Sequence, residues 1–161
     1  MFEFRADSDI SKNYQLLQGA IDAHLRDEKN LIANLANIAS FIYTALPDVN
    51  WAGFYLAMDG ELVLGPFCGK PACTRIPIGR GVCGTSAEKG EIIVVPDVHA
   101  FDGHIACDSQ SNSEIVLPLF IKGRVFGVLD IDSPMFDRFS QADVDGLAKI
   151  ANSISRFLEG M

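Results

Sequence analysis

Over residues 11–28 the apolar side chains Tyr14, Leu17, Ile21 and Leu25 recur three and four positions apart, which predicts a helix with one apolar face. Residues 30–46 repeat the pattern with Leu31, Leu35, Ile38 and Ile42, and Pro47 closes that helix. The period then changes. Residues 51–58 and 61–67 read as paired strands around Asp59-Gly60, a dipeptide suited to the positive φ angles of a tight hairpin turn. A turn-rich stretch leads to a short helix at 81–89 and a buried strand at 91–95. Residues 96–113 are long, polar and irregular, and such loops inside a domain are commonly functional. A second hairpin pairs 114–121 with 124–131 around Lys122-Gly123. Ser140, with Asp143 three positions on, predicts the cap of a last helix running to about Leu158. Hairpin-linked strands with helices grouped at both termini predict the α+β class, an antiparallel sheet with helices on one face.

Composition narrows the setting. At 161 residues the chain is read as one domain, residues 1–161, large enough to bury a core without disulfide staples. No apolar run reaches the length of a membrane span, and the first residues lack the form of a signal peptide, so a cytoplasmic protein with no membrane partner is expected. The net charge of −8 argues against a nucleic-acid partner, which needs a basic footprint.

The cysteines change the picture most. Cys73, Cys83 and Cys107 lie in polar, Gly- and Pro-rich sequence with Lys, Arg or His nearby, a setting that lowers a thiol pKa. Cys68 follows Phe67 at a strand end and reads equally well as an inert buried thiol. A zinc site would have to use His99, His104 and Cys107, since no C-x2-C pair is present. A standing disulfide scaffold conflicts with a reducing compartment. Thiol redox chemistry remains, in which one thiolate attacks and a second resolves the oxidised intermediate.

Several motifs then agree. Trp51-Ala52-Gly53-Phe54-Tyr55, Gly69-Lys70-Pro71-Ala72-Cys73-Thr74-Arg75-Ile76-Pro77 and Gly79-Arg80-Gly81-Val82-Cys83-Gly84 resemble the free methionine-(R)-sulfoxide reductases. So do Val95-Pro96-Asp97-Val98-His99, Gly103-His104-Ile105-Ala106-Cys107-Asp108 and Gly127-Val128-Leu129-Asp130-Ile131-Asp132-Ser133. The resemblance implies a GAF fold, an antiparallel sheet of about six strands flanked by N- and C-terminal helices. It implies Cys107 as the attacking cysteine, Cys73 as the main resolving cysteine and Cys83 as a third that shares that task. It implies free methionine sulfoxide as substrate, thioredoxin as reductant, no cofactor or metal, and a homodimer. Cys68 departs from the family pattern, where a polar residue is expected.

Chemistry adds the acids. A sulfoxide becomes electrophilic at sulfur when its oxygen is protonated, so a thiolate needs a proton donor beside it. Asp130 and Asp132 are two apart on a strand and share a face, and carboxyls held that close resist ionising together. Glu114 resembles the family's ligand to the substrate ammonium. A regular two-residue hairpin at Lys122-Gly123 would set Glu114 opposite Ile131, on the wrong face. A three-residue loop or a single bulge would set it opposite Asp132. Trp51 and Tyr55 share a strand face and are expected to wall the sulfoxide methyl group, with ordinary core packing the competing reading for Tyr55. Backbone N–H groups from Ile105, Ala106 and Cys107 would take the substrate carboxylate. His99 and His104 are expected mainly to pack their loop.

Gly79, Gly81 and Gly84 form a G-x-G-x-x-G with Asp97 beyond, which superficially matches a dinucleotide fingerprint. The segment 74–78 is a poor buried strand, and no second βαβ half follows, so these glycines are read as steric. The functional expectation is thiol-dependent reduction of free L-methionine (R)-sulfoxide through a sulfenic acid and an intramolecular disulfide. The alternative is a non-catalytic GAF sensor of a small molecule or of redox state.

Overall fold

Asp9 has extended backbone angles, and its carboxylate accepts a hydrogen bond from Ser11 N at 2.9 Å and caps helix α1 (Ile10–Asp27). The computed structural model describes residues 4–5, 7–105 and 108–161. Asn30 caps α2 (Leu31–Ala45) in the same way, accepting from Ala33 N. Two hairpins follow the expected turns. β1 (Trp51–Met58) and β2 (Glu61–Gly69) meet at Asp59 and Gly60, whose φ angles of 51° and 84° suit a type I′ turn. After a three-residue strand β3 (Arg75–Pro77) comes α3 (Gly81–Lys89), then β4 (Ile93–Val95). The second hairpin joins β5 (Ser113–Ile121) to β6 (Arg124–Ser133), and α4 (Gln141–Glu159) ends the chain behind a complete Ser140–Asp143 capping box.

The strands form one antiparallel sheet in the order β3-β2-β1-β6-β5-β4. β3 is absent from the sequence expectation. It is a short edge strand that buries only Ile76, so it lacks the alternating pattern by which strands are read. The 96–113 segment is irregular as expected, apart from a 3₁₀ turn at Val98–Ala100.

Alternation divides the sheet into two faces. Ala52, Phe54, Ile115, Leu117, Leu119, Leu129 and Ile131 point to α1, α2 and α4 and form the larger core with them. The other face carries Trp51, Tyr55, Val116 and Val128, which pack with α3 and the loops in a second cluster. The terminal helices are tied together through Asp143. Tyr14 donates a hydrogen bond to its Oδ1 at 2.7 Å, and Arg138 reaches both of its oxygens at 3.1 Å. Gly146 lies under the Tyr14 ring, where a Cβ would stand 2.2 Å from Cγ.

Candidate active site

The register of the second hairpin gathers the acids. Ile121 pairs with Arg124 and Phe120 with Val125, as in a regular two-residue hairpin. Leu119 then pairs with Gly127, so Phe126 is an extra residue and the register shifts by one. From there Glu114 stands opposite Asp132, and Asp132 stands opposite Trp51 on β1. Without the bulge, Glu114 would fall on the face that meets the helices. The sheet thus carries a row of Trp51, Asp132 and Glu114, with Gly53, Asp130 and Val116 in the row beside it.

Above these rows lies a cleft, roofed by Pro71 and Ala72 from one loop and by His104, Ile105, Asp108 and Ser111 from another, and walled by the start of α3. Trp51, Tyr55, Ile105, Glu114, Asp130 and Asp132 all line it. Gly53 makes room for the indole, since a Cβ there would lie 2.7 Å from the Trp51 ring and 2.4 Å from Phe67 Cβ. The indole stacks between Tyr55 and Phe67 at centroid distances of 6.0 and 5.3 Å. Both aromatic residues also do something that the sequence reading did not anticipate. Trp51 Nε1 donates to Lys70 O at 3.1 Å and the Tyr55 hydroxyl donates to Cys73 O at 2.8 Å. The aromatic wall therefore holds the loop that carries Cys73. Cys73 itself is disulfide-bonded. Cys107 and Ala106 lie outside the described residues.

Cys83 corrects the sequence expectation. It sits in the first turn of α3, buried rather than in an exposed basic loop, and its Sγ lies 3.9 Å from Glu114 Oε1. Burial first, then the charges of Asp130 and Glu114, push its thiol pKa well up instead of down. Cys68 also becomes clear: it packs among the helices on the opposite face of the sheet and is separated from the cleft. The glycines near Cys83 are steric, as expected. Gly79 and Gly81 hold φ angles of 81° and 61°, and a Cβ on Gly84 would strike Pro77 O at 2.4 Å.

The three carboxyls are shifted together. Asp130 is pushed up to about 6, by burial against the opposing effect of hydrogen bonds with Cys83 and Glu114. Glu114 goes well above its usual range through burial, then through the charges of Asp130 and Asp132. Asp132 rises through burial, then Asp130 and Asp108. At neutral pH the group therefore keeps protons that isolated carboxyls would have lost. Asp130 Oδ1 is buried and has no hydrogen-bond partner among the described residues. His104 Nε2 lies 3.8 Å from Glu114 Oε2, and burial, then His99, lowers the His104 pKa. That contact joins two groups biased toward neutrality and is not an ion pair.

Of the zinc set considered from sequence, Cys107 lies outside the described residues and the two histidines differ in setting. His104 lines the cleft, whereas His99 is exposed and bonds Asn112 at 2.9 Å. Sequence reasoning missed Asp108 and Ser111, which line the cleft. It also missed Lys70, which bridges the two roof loops through Asp108 at 3.6 Å and Gln110 at 2.5 Å. Contacts between loops leave no periodic signal along the chain.

One antiparallel sheet with helices on one face and a loop-roofed cleft on the other defines a GAF domain, and the sequence profile of that domain matches residues 30–158. The chain is 51% identical over 145 residues to the free methionine-R-sulfoxide reductase of Escherichia coli strain K12, covering 90% of this chain and 88% of the relative. It is 52% identical over 161 residues to protein YtsP of Bacillus subtilis strain 168, covering 98% and 99%. Its fold matches the X-ray structure of the Neisseria meningitidis free methionine-R-sulfoxide reductase in complex with its substrate at a TM-score of 0.94. That match has 45% identity and covers 99% of this chain and 95% of the other. The chain belongs to the GAF-domain family of free methionine-R-sulfoxide reductases.

Proposed function

We propose that the protein reduces free L-methionine (R)-sulfoxide to methionine in the cleft over β1, β6 and β5. The observation that carries this reading is the Phe126 bulge, which brings Glu114, Asp130 and Asp132 to one face beneath the loop bearing Cys73. The family membership supports the substrate, including its stereochemistry and its free form.

The order of the row suggests the pose. Trp51 would pack the sulfoxide methyl, Asp132 beside it would face the sulfoxide oxygen, and Glu114 at the far end would take the ammonium. Asp130 loses its proton first of the three and supplies the negative charge that the ammonium needs, while the high pKa of Asp132 keeps a proton available for the oxygen. Backbone N–H groups of 105–107 would hold the substrate carboxylate.

Cys107, as thiolate, then attacks the activated sulfoxide, whose oxygen passes to the cysteine sulfur. Methionine leaves, and Cys107 is left as a sulfenic acid. The Cys73 thiol attacks that sulfur, a disulfide forms and water departs. An external dithiol, which we assign to thioredoxin, reduces the disulfide and becomes oxidised itself. Cys83 is held as a neutral thiol among carboxyls, a poor setting for a nucleophile, so the main resolving role goes to Cys73. No organic cofactor or metal enters this cycle. Among the described residues no helix is long and apolar enough to cross a membrane. We assign the enzyme to the cytoplasm and to a homodimer on the family resemblance.

A single-turnover experiment tests the mechanism. Fully reduced protein given excess free (R)-sulfoxide, with no external reductant, should release one methionine per chain and lose two thiols. Cys73→Ser should release the same methionine but leave a trappable sulfenic acid. Methionine release that persists in Cys107→Ser would overturn the assignment.

A further inference from the structure

Cys83, Glu114 and Asp130 offer Sγ and two carboxylate oxygens that all lie within 4.8 Å of one another. Ligand atoms around one tetrahedral zinc ion stand roughly 3.2–3.8 Å apart, given metal–ligand bonds of about 2.0–2.3 Å. The Cys83 Sγ to Glu114 Oε1 distance of 3.9 Å is already close to that spacing. A thiol beside carboxyls is a mixed donor set that suits a borderline divalent cation rather than magnesium or calcium, which take oxygen alone.

Two further observations point to a cation. Asp130 lines the cleft and is 6% exposed, and its buried Oδ1 has no hydrogen-bond partner among the described residues. The described cleft lining also includes no lysine or arginine to oppose a positive ion. His104, 3.8 Å from Glu114 Oε2, stands where it can complete the set or orient that carboxylate.

We propose that Cys83, Glu114 and Asp130 form a binding site for one thiophilic divalent cation, zinc, whose occupancy closes the cleft to an ammonium-bearing substrate. Binding breaks the Cys83 S–H bond and the O–H bond of a protonated Glu114, forms metal–thiolate and metal–carboxylate bonds and releases the protons to solvent; no electron is transferred. The role assigned to Cys83 is thus that of a metal-sensitive group beside the substrate carboxyls. The effect on substrate rests on the reductase reading, whereas the binding itself does not.

The oxidised protein isolates the site, because Cys73 is then held in a disulfide while Cys68 and Cys83 are free. Cys68→Ser, on the opposite sheet face, removes the other free thiol among the described residues, and Cys107 is the disulfide partner of Cys73 in the proposed cycle. Cadmium, as a spectroscopic substitute for zinc, is titrated anaerobically into this protein while the thiolate-to-metal charge-transfer band is followed. The band should saturate at one equivalent, and zinc should displace the cadmium without leaving a band. Adding Cys83→Ser should abolish the band. Asp130→Asn should weaken binding by more than about tenfold, since even outer-shell partners contribute that much. Absence of the band, or its persistence in the Cys83→Ser protein, would overturn the proposal. The titration of the Cys68→Ser parent decides the matter even if a Cys83 variant fails to fold. Active reductase without the band would remove this site alone, and a metal-binding protein without turnover would remove the reductase reading alone.

Discussion

Asp130→Asn should make the protein more stable at neutral pH while impairing it as an enzyme. Asp130 is buried, and its pKa is pushed from 3.8 to about 6, chiefly by desolvation. A raised pKa means that the native state favours the neutral carboxyl. That advantage is complete below the unfolded pKa and is lost as pH rises through the native one, so above about pH 6 the native state carries the full cost of the ion. The span from 3.8 to about 6, at about 1.36 kcal/mol per pH unit, amounts to something on the order of 3 kcal/mol. Asparagine keeps the shape and cannot ionise, although its amide must find acceptors near Glu114, which reduces the gain. The upper bound corresponds to a melting temperature higher by roughly 6–12 °C for a domain of this size. Thermal and urea unfolding of both proteins, compared at about pH 4 and about pH 8, reads the effect directly. The curves should nearly coincide at the acid end and separate at the alkaline end. A variant no more stable than wild type at the higher pH would refute the account of Asp130 as an ion forced into the interior.

Other outcomes follow from single contacts. Tyr55→Phe removes the 2.8 Å hydrogen bond to Cys73 O. A loss of about 1 kcal/mol should slow disulfide closure about fivefold and lengthen the life of a dimedone-trappable sulfenic acid. Unchanged trapping would mean that Tyr55 does not position that loop. Cys83→Ser should keep turnover of the free (R)-sulfoxide within about tenfold, the cost of a buried hydrogen bond, whereas an obligatory resolving thiol would give a far larger loss in a multiple-turnover assay. Gly146→Ala drives a Cβ into the Tyr14 ring and breaks its fit to Asp143. Calorimetry should show a loss of roughly 1–3 kcal/mol or more, and an unchanged melting temperature would exclude that contact from the fold's support.

The regular part of this architecture can be read from the chain because its signals are local. Tyr14, Leu17, Ile21 and Leu25 mark the buried face of α1, and Asp59-Gly60 and Lys122-Gly123 adopt the positive φ angles that their turns require. The α3 bounds, and the Ser140 cap with its Asp143 partner, also follow from short-range chemistry. The bulge illustrates an intermediate case. Three acids on two strands can share a site only if the register slips by one, but nothing marks Phe126 as the extra residue. β3 stays hidden because a three-residue edge strand buries one side chain. Cys83 misleads because its Gly- and Arg-rich neighbourhood resembles a reactive loop, while α3 turns the thiol inward onto Glu114 and Asp130. The tethers from Trp51 and Tyr55 to the Cys73 loop depend on backbone carbonyls, whose positions no residue pattern encodes.

The most direct test is steady-state NADPH oxidation through thioredoxin reductase and thioredoxin. The separated free (R)- and (S)-methionine sulfoxides serve as substrates, with an N-acetyl methionine amide sulfoxide as a peptide mimic. The account predicts turnover with the free (R) epimer alone, abolished in Cys107→Ser and nearly abolished in Asp132→Asn. Equal rates with both epimers, or with the blocked mimic, would contradict the pose built on Trp51, Asp132 and Glu114. No turnover by reduced, folded protein would contradict the enzyme itself and leave a GAF domain that binds its ligand without chemistry.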